Sequence, residues 1–128
     1  MINICVFGAG AIGGYIGCSL SKAGANVSLI ARGPHKEAIK KNGLTLISNN
    51  KSETFKLKVT ENPSELDTQD YIIIGVKAHA ISGIVNQLKP LLSDNTAILS
   101  AVNGLPWWYF YKSNTGTKLE NTHIDSVD

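Results

Sequence analysis

The sequence is short of cysteine, of charge and of long apolar runs, and each scarcity excludes a class of protein. Its only cysteines are Cys5 and Cys18. They fall in a predicted strand and a predicted helix without Cys-x-x-Cys spacing, so buried reduced thiols are expected rather than a disulfide or a metal site. Charged residues are 17% of the chain against 43% hydrophobic, which excludes a disordered polyelectrolyte. A net charge of +2 is too small to point to nucleic acid. No apolar run approaches the roughly 20 residues of a membrane helix. The N-terminus has no basic start or cleavage site of a signal peptide, because Met1 leads straight into an apolar segment. A cytoplasmic protein, large enough at 128 residues for a real core, is expected. A further absence bears on chemistry: there is no carboxylate before Glu37.

What is present is concentrated at the start. Ile2 to Phe7 is an apolar, uncharged run that reads as a strand buried on both faces. It breaks into Gly-x-Gly-x-x-Gly at Gly8, Gly10 and Gly13, and a helical pattern follows with Ile12, Ile16, Leu20 and Ala23 on one side. Strand, glycine turn and helix together form the context in which this motif binds a dinucleotide. Gly8 permits the tight turn, Gly10 lets the backbone approach a pyrophosphate, and Gly13 lets the helix pack close to the strand. The amides of Gly8, Ala9, Gly10, Ala11, Ile12 and Gly13 then face the phosphates at the positive end of the helix dipole. Gly17 keeps the same helix face small.

Beyond Gly24, at the left-handed cap position, Val27 to Ala31 is the second strand. Pro34 opens a short helix that runs to Asn42-Gly43. Leu44 to Ser48 and Phe55 to Val59 read as two strands joined by Asn49-Asn50-Lys51-Ser52, an antiparallel hairpin inserted in a β/α alternation. Asn62 to Leu66 is a turn or a single helical turn. Tyr71 to Val76 is a strand, Ala80 to Leu92 a helix, and Ala97 to Val102 a strand. The helix carries Ile81, Ile84, Val85, Leu88 and Leu92 on one stripe, and Pro90 should divide its last turn. The fold class is α/β: a Rossmann-like, doubly wound, mostly parallel sheet with right-handed connections. Residues 1–111 form the nucleotide-binding domain and 112–128 a polar tail.

Ligands of such sheets sit at the carboxyl ends of the strands. An NAD site carries Asp or Glu after the second strand to take the ribose hydroxyls. Here the residues are Ala31-Arg32-Gly33. Arg32 suits a 2′-phosphate, His35 and Lys36 can add positive charge, and NADP is the expected cofactor. The missing acid also argues against S-adenosylmethionine. Lys77, His79 and Asn103 follow later strands and complete the set of candidates.

Gly8-Ala9-Gly10-Ala11-Ile12-Gly13-Gly14-Tyr15-Ile16-Gly17, Ala31-Arg32, Val76-Lys77-Ala78 and the run from Asn103-Gly104 to Phe110 follow one another as in ketopantoate reductases, and the chain resembles that family over essentially its whole length. The resemblance implies NADPH-dependent reduction of 2-dehydropantoate, a 2-oxo acid, to pantoate in pantothenate biosynthesis. It implies that Arg32 holds the 2′-phosphate, and that Lys77 and Asn103 line the cleft near nicotinamide and substrate. Val102 departs from the pattern, since many members carry Gln there. The family's second, helical domain supplies a catalytic Lys and a substrate-holding Glu. Neither can be assigned before Asp128, so the chain is expected to be the cofactor-binding half, truncated and inactive alone. A stand-alone NADP(H)-binding or regulatory module and a non-catalytic remnant are the alternatives. The aromatic group at Trp107, Trp108, Tyr109, Phe110 and Tyr111 is either core or a surface covered by a second domain or a homodimer partner.

Overall fold

The computed structural model describes residues 1–104, 108, 111 and 112. Strand β1 (Asn3–Phe7) leads through the glycine turn into helix α1 (Ala11–Lys22), and β2 (Asn26–Ile30) into α2 (Gly33–Asn42). Then come β3 (Leu44–Ser48), β4 (Lys51–Phe55), β5 (Lys58–Thr60), β6 (Tyr71–Ile74), α3 (Ile81–Leu88) and β7 (Ala97–Ser100). The main sheet has the order β5-β2-β1-β6-β7 with every pairing parallel. β1 is central because its side chains can be buried on both faces: Ile4 and Val6 join one apolar cluster, Cys5 and Phe7 the other. The first cluster includes Val27, Leu29 and Ile39 on the α1/α2 side; the second includes Ile72, Ile74, Ile81, Ile84 and Leu88 on the α3 side. Fully buried side chains such as Val6 and Leu29 each contribute about 1.5–3 kcal/mol. The chain runs to opposite sides of β1 in its two halves, and this creates the crevice in which such sheets bind ligands.

Four details differ from the sequence expectation. The buried face of α1 is Gly13, Gly14, Gly17 and Cys18, not the isoleucine stripe; Ile16 and Leu20 are half-buried and Ile12 is 48% exposed. The helix sits too close to the sheet for larger side chains: a Cβ on Gly17 would lie 2.9 Å from Leu29 Cδ2. Second, the expected strand Phe55–Val59 is split. Phe55 ends the hairpin opposite Leu44, whereas Lys58–Thr60 runs parallel to β2. Alternating Phe55, Leu57 and Val59 carries the same period through both partners, so the pattern does not mark the break. The hairpin turn is the two-residue Asn49-Asn50, not the expected four residues, because Lys51 and Ser52 already pair with Ser48 and Ile47; its φ values of 50° and 59° make the mirror-image turn that matches strand twist. Third, the helix expected over Ala80–Leu92 is a 3-10 turn (Ala78–Ala80), α3, and a second 3-10 turn (Lys89–Leu91). Pro90 divides it as anticipated, since its ring lacks an N–H and clashes with the preceding turn. Fourth, the strands at Tyr71 and Ala97 end at Ile74 and Ser100, which releases Gly75–Lys77 and Ala101–Asn103 to form loops.

Gly24 has φ of 97°, as its cap position requires. Asn62 accepts a hydrogen bond from Ser64 N and starts a 3-10 turn at Pro63–Glu65. Of the aromatic run, Trp108 is half-buried against the α3-side cluster and Tyr111 is 63% exposed. Trp107, Tyr109 and Phe110 lie outside the described residues. Among the described residues, no helix is long and apolar enough to cross a membrane.

Candidate functional site

The glycine turn is held from three sides. Gly8 has φ of 104°, and its N–H donates to Ile30 O at 3.0 Å, tying the turn to β2. A Cβ on Gly13 would lie 2.0 Å from Gly8 O, so only glycine lets α1 begin here. Gly75 closes the third side: its N–H donates to Phe7 O at 2.8 Å, and a Cβ on it would lie 3.1 Å from Gly8 O and 3.2 Å from Gly13 Cα. The spacing of the motif does not mark Gly75. Its signal is a glycine ending the apolar run Ile72-Ile73-Ile74, but only the β1–β6 pairing brings it against the motif.

Gly10 is different from its neighbours in the motif. It is the N-cap of α1, exposed, and a Cβ there would meet nothing within 4 Å. No side chain caps the helix and no acid stands in its first turn. The start of α1 therefore presents unneutralised amides and the positive end of a 12-residue helix to open space. That arrangement fits a pyrophosphate.

A recess opens on each side of this turn. One, about 510 Å³, is lined by Gly10, Ala11, Ile12, Gly75, Lys77 and Asn103 among others. The other, about 160 Å³, is lined by Gly8, Ala9, Ala31, Arg32, His35 and Val76. The tertiary structure thus brings Lys77 and Asn103 to one end of the cleft and Arg32 to the other, with the glycine amides between. Lys77 and Asn103 are exposed. Arg32 is the exposed N-cap of α2, and its side chain makes no hydrogen bond or ion pair among the described residues. Its guanidinium is available to an anion. His79 is exposed in the 3-10 turn after Lys77 and does not line this recess.

The two other basic residues expected near Arg32 have different engagements. Lys36 is paired with Glu61 at 3.1 Å and Glu37 at 3.2 Å. The Glu61 hydrogen bond, followed by that to Glu37, raises its ammonium pKa and leaves its charge compensated. His35 Nε2 lies 2.6 Å from Ala9 O, so the ring reaches from α2 to the glycine turn. A third recess of about 250 Å³ lies between α1 and the β3–β4 hairpin, lined by Gly14, Tyr15, Cys18, His35, Leu44 and Leu46. Burial, and then the charge of Glu53, raise the Cys18 thiol, and burial pushes Cys5 up to about 12, so neither thiol is a nucleophile at neutral pH.

The chain resembles known proteins along most of its length. The family model of ketopantoate reductase PanE/ApbA matches residues 4–106. The 2-dehydropantoate 2-reductase of Mesorhizobium japonicum is 41% identical over 128 residues, covering 99% of this chain and 39% of that protein. A candidate ketopantoate reductase from Ralstonia solanacearum MolK2 superposes with a TM-score of 0.90 at 34% identity, over 100% of this chain and 39% of that one. D-mandelate dehydrogenase, solved with NADH and anilino(oxo)acetate, superposes with a TM-score of 0.73 at 32% identity, over 80% of this chain and 34% of its own. The chain therefore spans about a third to two fifths of the length of the relatives it matches. With a Rossmann-like sheet and a match to the family model over residues 4–106, the chain belongs to the ketopantoate reductase family.

Proposed function

We propose that these residues form the NADPH-binding half of a 2-dehydropantoate 2-reductase, which reduces a 2-oxo acid to a 2-hydroxy acid. Residues 1–111 would form the nucleotide domain, and 112–128 would lead toward the remainder of the enzyme. The observation that carries the reading is the cleft itself: an uncapped helix start at Gly10 between a free Arg32 and the pair Lys77 and Asn103. A bound dihydronicotinamide supplies the hydride for such a reduction. The protein's own contribution begins with the amides of Gly10, Ala11 and Ile12, which hold the pyrophosphate without side-chain interference. Arg32 grips the 2′-phosphate with its planar fork. Lys77 and Asn103 offer N–H donors at the opposite end, where they orient the nicotinamide and a 2-oxo acid and stabilise charge developing on the substrate oxygen. By resemblance to the reductases, the general acid comes from the part of the family's length that these residues do not span. The 128-residue polypeptide alone should then bind cofactor without turning over 2-dehydropantoate.

NADPH specificity rests on Arg32 and on the absence of an acid at the end of β2. D-mandelate dehydrogenase was solved with NADH, so likeness in fold does not by itself select NADPH. Fluorescence titration of the purified protein with NADPH and with NADH tests the specificity. Tighter binding of NADPH is expected, and equal or reversed affinities would overturn the assignment.

A further inference from the structure

Resting on this cofactor reading, we propose that His35 is a positioning residue for the pyrophosphate: it holds the Ala9–Gly10 peptide in the orientation that turns the Gly10 N–H toward the phosphates. His35 lies in the first turn of α2, three residues beyond Arg32, yet its Nε2 is 2.6 Å from the Ala9 carbonyl oxygen. A carbonyl can only accept, so Nε2 carries the hydrogen and donates. No cis peptide is present, so the Ala9 carbonyl and the Gly10 N–H point in opposite directions across one plane. Fixing the first therefore fixes the second.

Two physical effects follow. Gly10 has no Cβ and open space around it, so no side chain at that residue resists rotation of the Ala9–Gly10 peptide. A rotated peptide would present a carbonyl oxygen, with its partial negative charge, to the anion that the helix start attracts. The hydrogen bond also compensates that oxygen's charge while it stands near the phosphates. His35 lines both the recess of Arg32 and the recess beneath the hairpin, so its ring is the wall that joins α2 to the turn. The same short helix thereby carries a group for the 2′-phosphate and a group that prepares the turn for the pyrophosphate.

The test compares His35→Phe, which keeps a flat ring and removes the donor, with His35→Gln, whose side-chain amide places an N–H near the former Nε2. Dissociation constants for NADPH and NADH are measured on the purified protein, together with the unfolding temperature without cofactor. A pyrophosphate effect weakens both cofactors by the same factor, about fivefold to tenfold for one hydrogen bond, and leaves their ratio unchanged. The Gln variant should recover most of the loss. If His35→Phe binds both cofactors as wild type does, or if Gln recovers nothing, the inference is wrong. A change in unfolding temperature alone, with unchanged affinities, would assign His35 a purely structural role and also overturn it. Wild-type protein that binds neither cofactor overturns the cofactor reading as well, and so separates that failure from the first.

Discussion

Gly10 and Gly13 stand three residues apart in one motif, yet the structure assigns them different tasks, and paired substitutions separate the two. A Cβ on Gly13 would sit 2.0 Å from the Gly8 carbonyl oxygen, about 1 Å inside the closest approach real Cβ atoms make. The obstacle is backbone and cannot rotate away, so α1 must lift from the sheet and disturb its contact with Val6. Overpacking of this kind costs about 1–3 kcal/mol and occasionally more. Gly13→Ala belongs at the upper end, with a fall in Tm of roughly 10 °C or more. A side chain at Gly10 meets nothing. Gly10→Val loses only a better N-cap residue, about 1 kcal/mol and about 4 °C. Its branched side chain nevertheless fills the space expected for the pyrophosphate. Losing two charge-assisted hydrogen bonds at about 1.5–3 kcal/mol each weakens binding by about a hundredfold or more. Circular dichroism melts and NADPH titration on both variants provide the comparison. A Gly10→Val protein that is folded and still binds NADPH tightly would refute the pyrophosphate assignment. A Gly13→Ala protein that melts like wild type would refute the packing argument.

Arg32→Ala should weaken NADPH by about tenfold, the effect of one charge-assisted hydrogen bond discounted for solvent exposure, and barely alter NADH; equal losses for both cofactors would refute the role. Stability should fall between pH 9 and 12, because the ordinary thiol value is 9.0 while burial holds Cys5 near 12. Below pH 9 both states keep the proton; above it the unfolded thiol loses its proton first, and stability declines with a slope approaching about 1.4 kcal/mol per pH unit. Urea midpoints at pH 8 and pH 10 should show this, and Cys5→Ala should lose that part of the slope. Asn50→Ala should lower stability by about 1 kcal/mol, since Asn50 sits at φ of 59°. Asn50→Gly should not, and an unchanged melt for the alanine variant would remove the argument from turn strain.

The elements that sequence alone determined are those set by short-range physics. Gly-x-Gly-x-x-Gly after an apolar run specified a strand, a tight turn and a helix start, because backbone sterics and an exposed helix terminus admit few other outcomes. The polar run Asn49-Asn50-Lys51-Ser52 located a hairpin, whose turn the structure narrows to Asn49-Asn50 at positive φ, and Pro90 located a break through its missing N–H. Arg32 stands out as the candidate for a 2′-phosphate because it is read against a strand end close by in the chain. Tertiary structure decided what depends on proximity between distant segments. The apolar stripe of α1 suggested Ile12 and Ile16 as its buried face, but the sheet approaches so closely that only Gly13, Gly14, Gly17 and Cys18 fit against it. Alternation in residues 55–59 was equally compatible with one strand or two, and β2 recruited Lys58–Thr60 as a parallel neighbour. Gly75 became part of the glycine turn only when β6 paired with β1. Lys36 was diverted to Glu37 and Glu61, and His35 to the Ala9 carbonyl, because side-chain partners are chosen by distance in space, which no periodicity in the chain encodes.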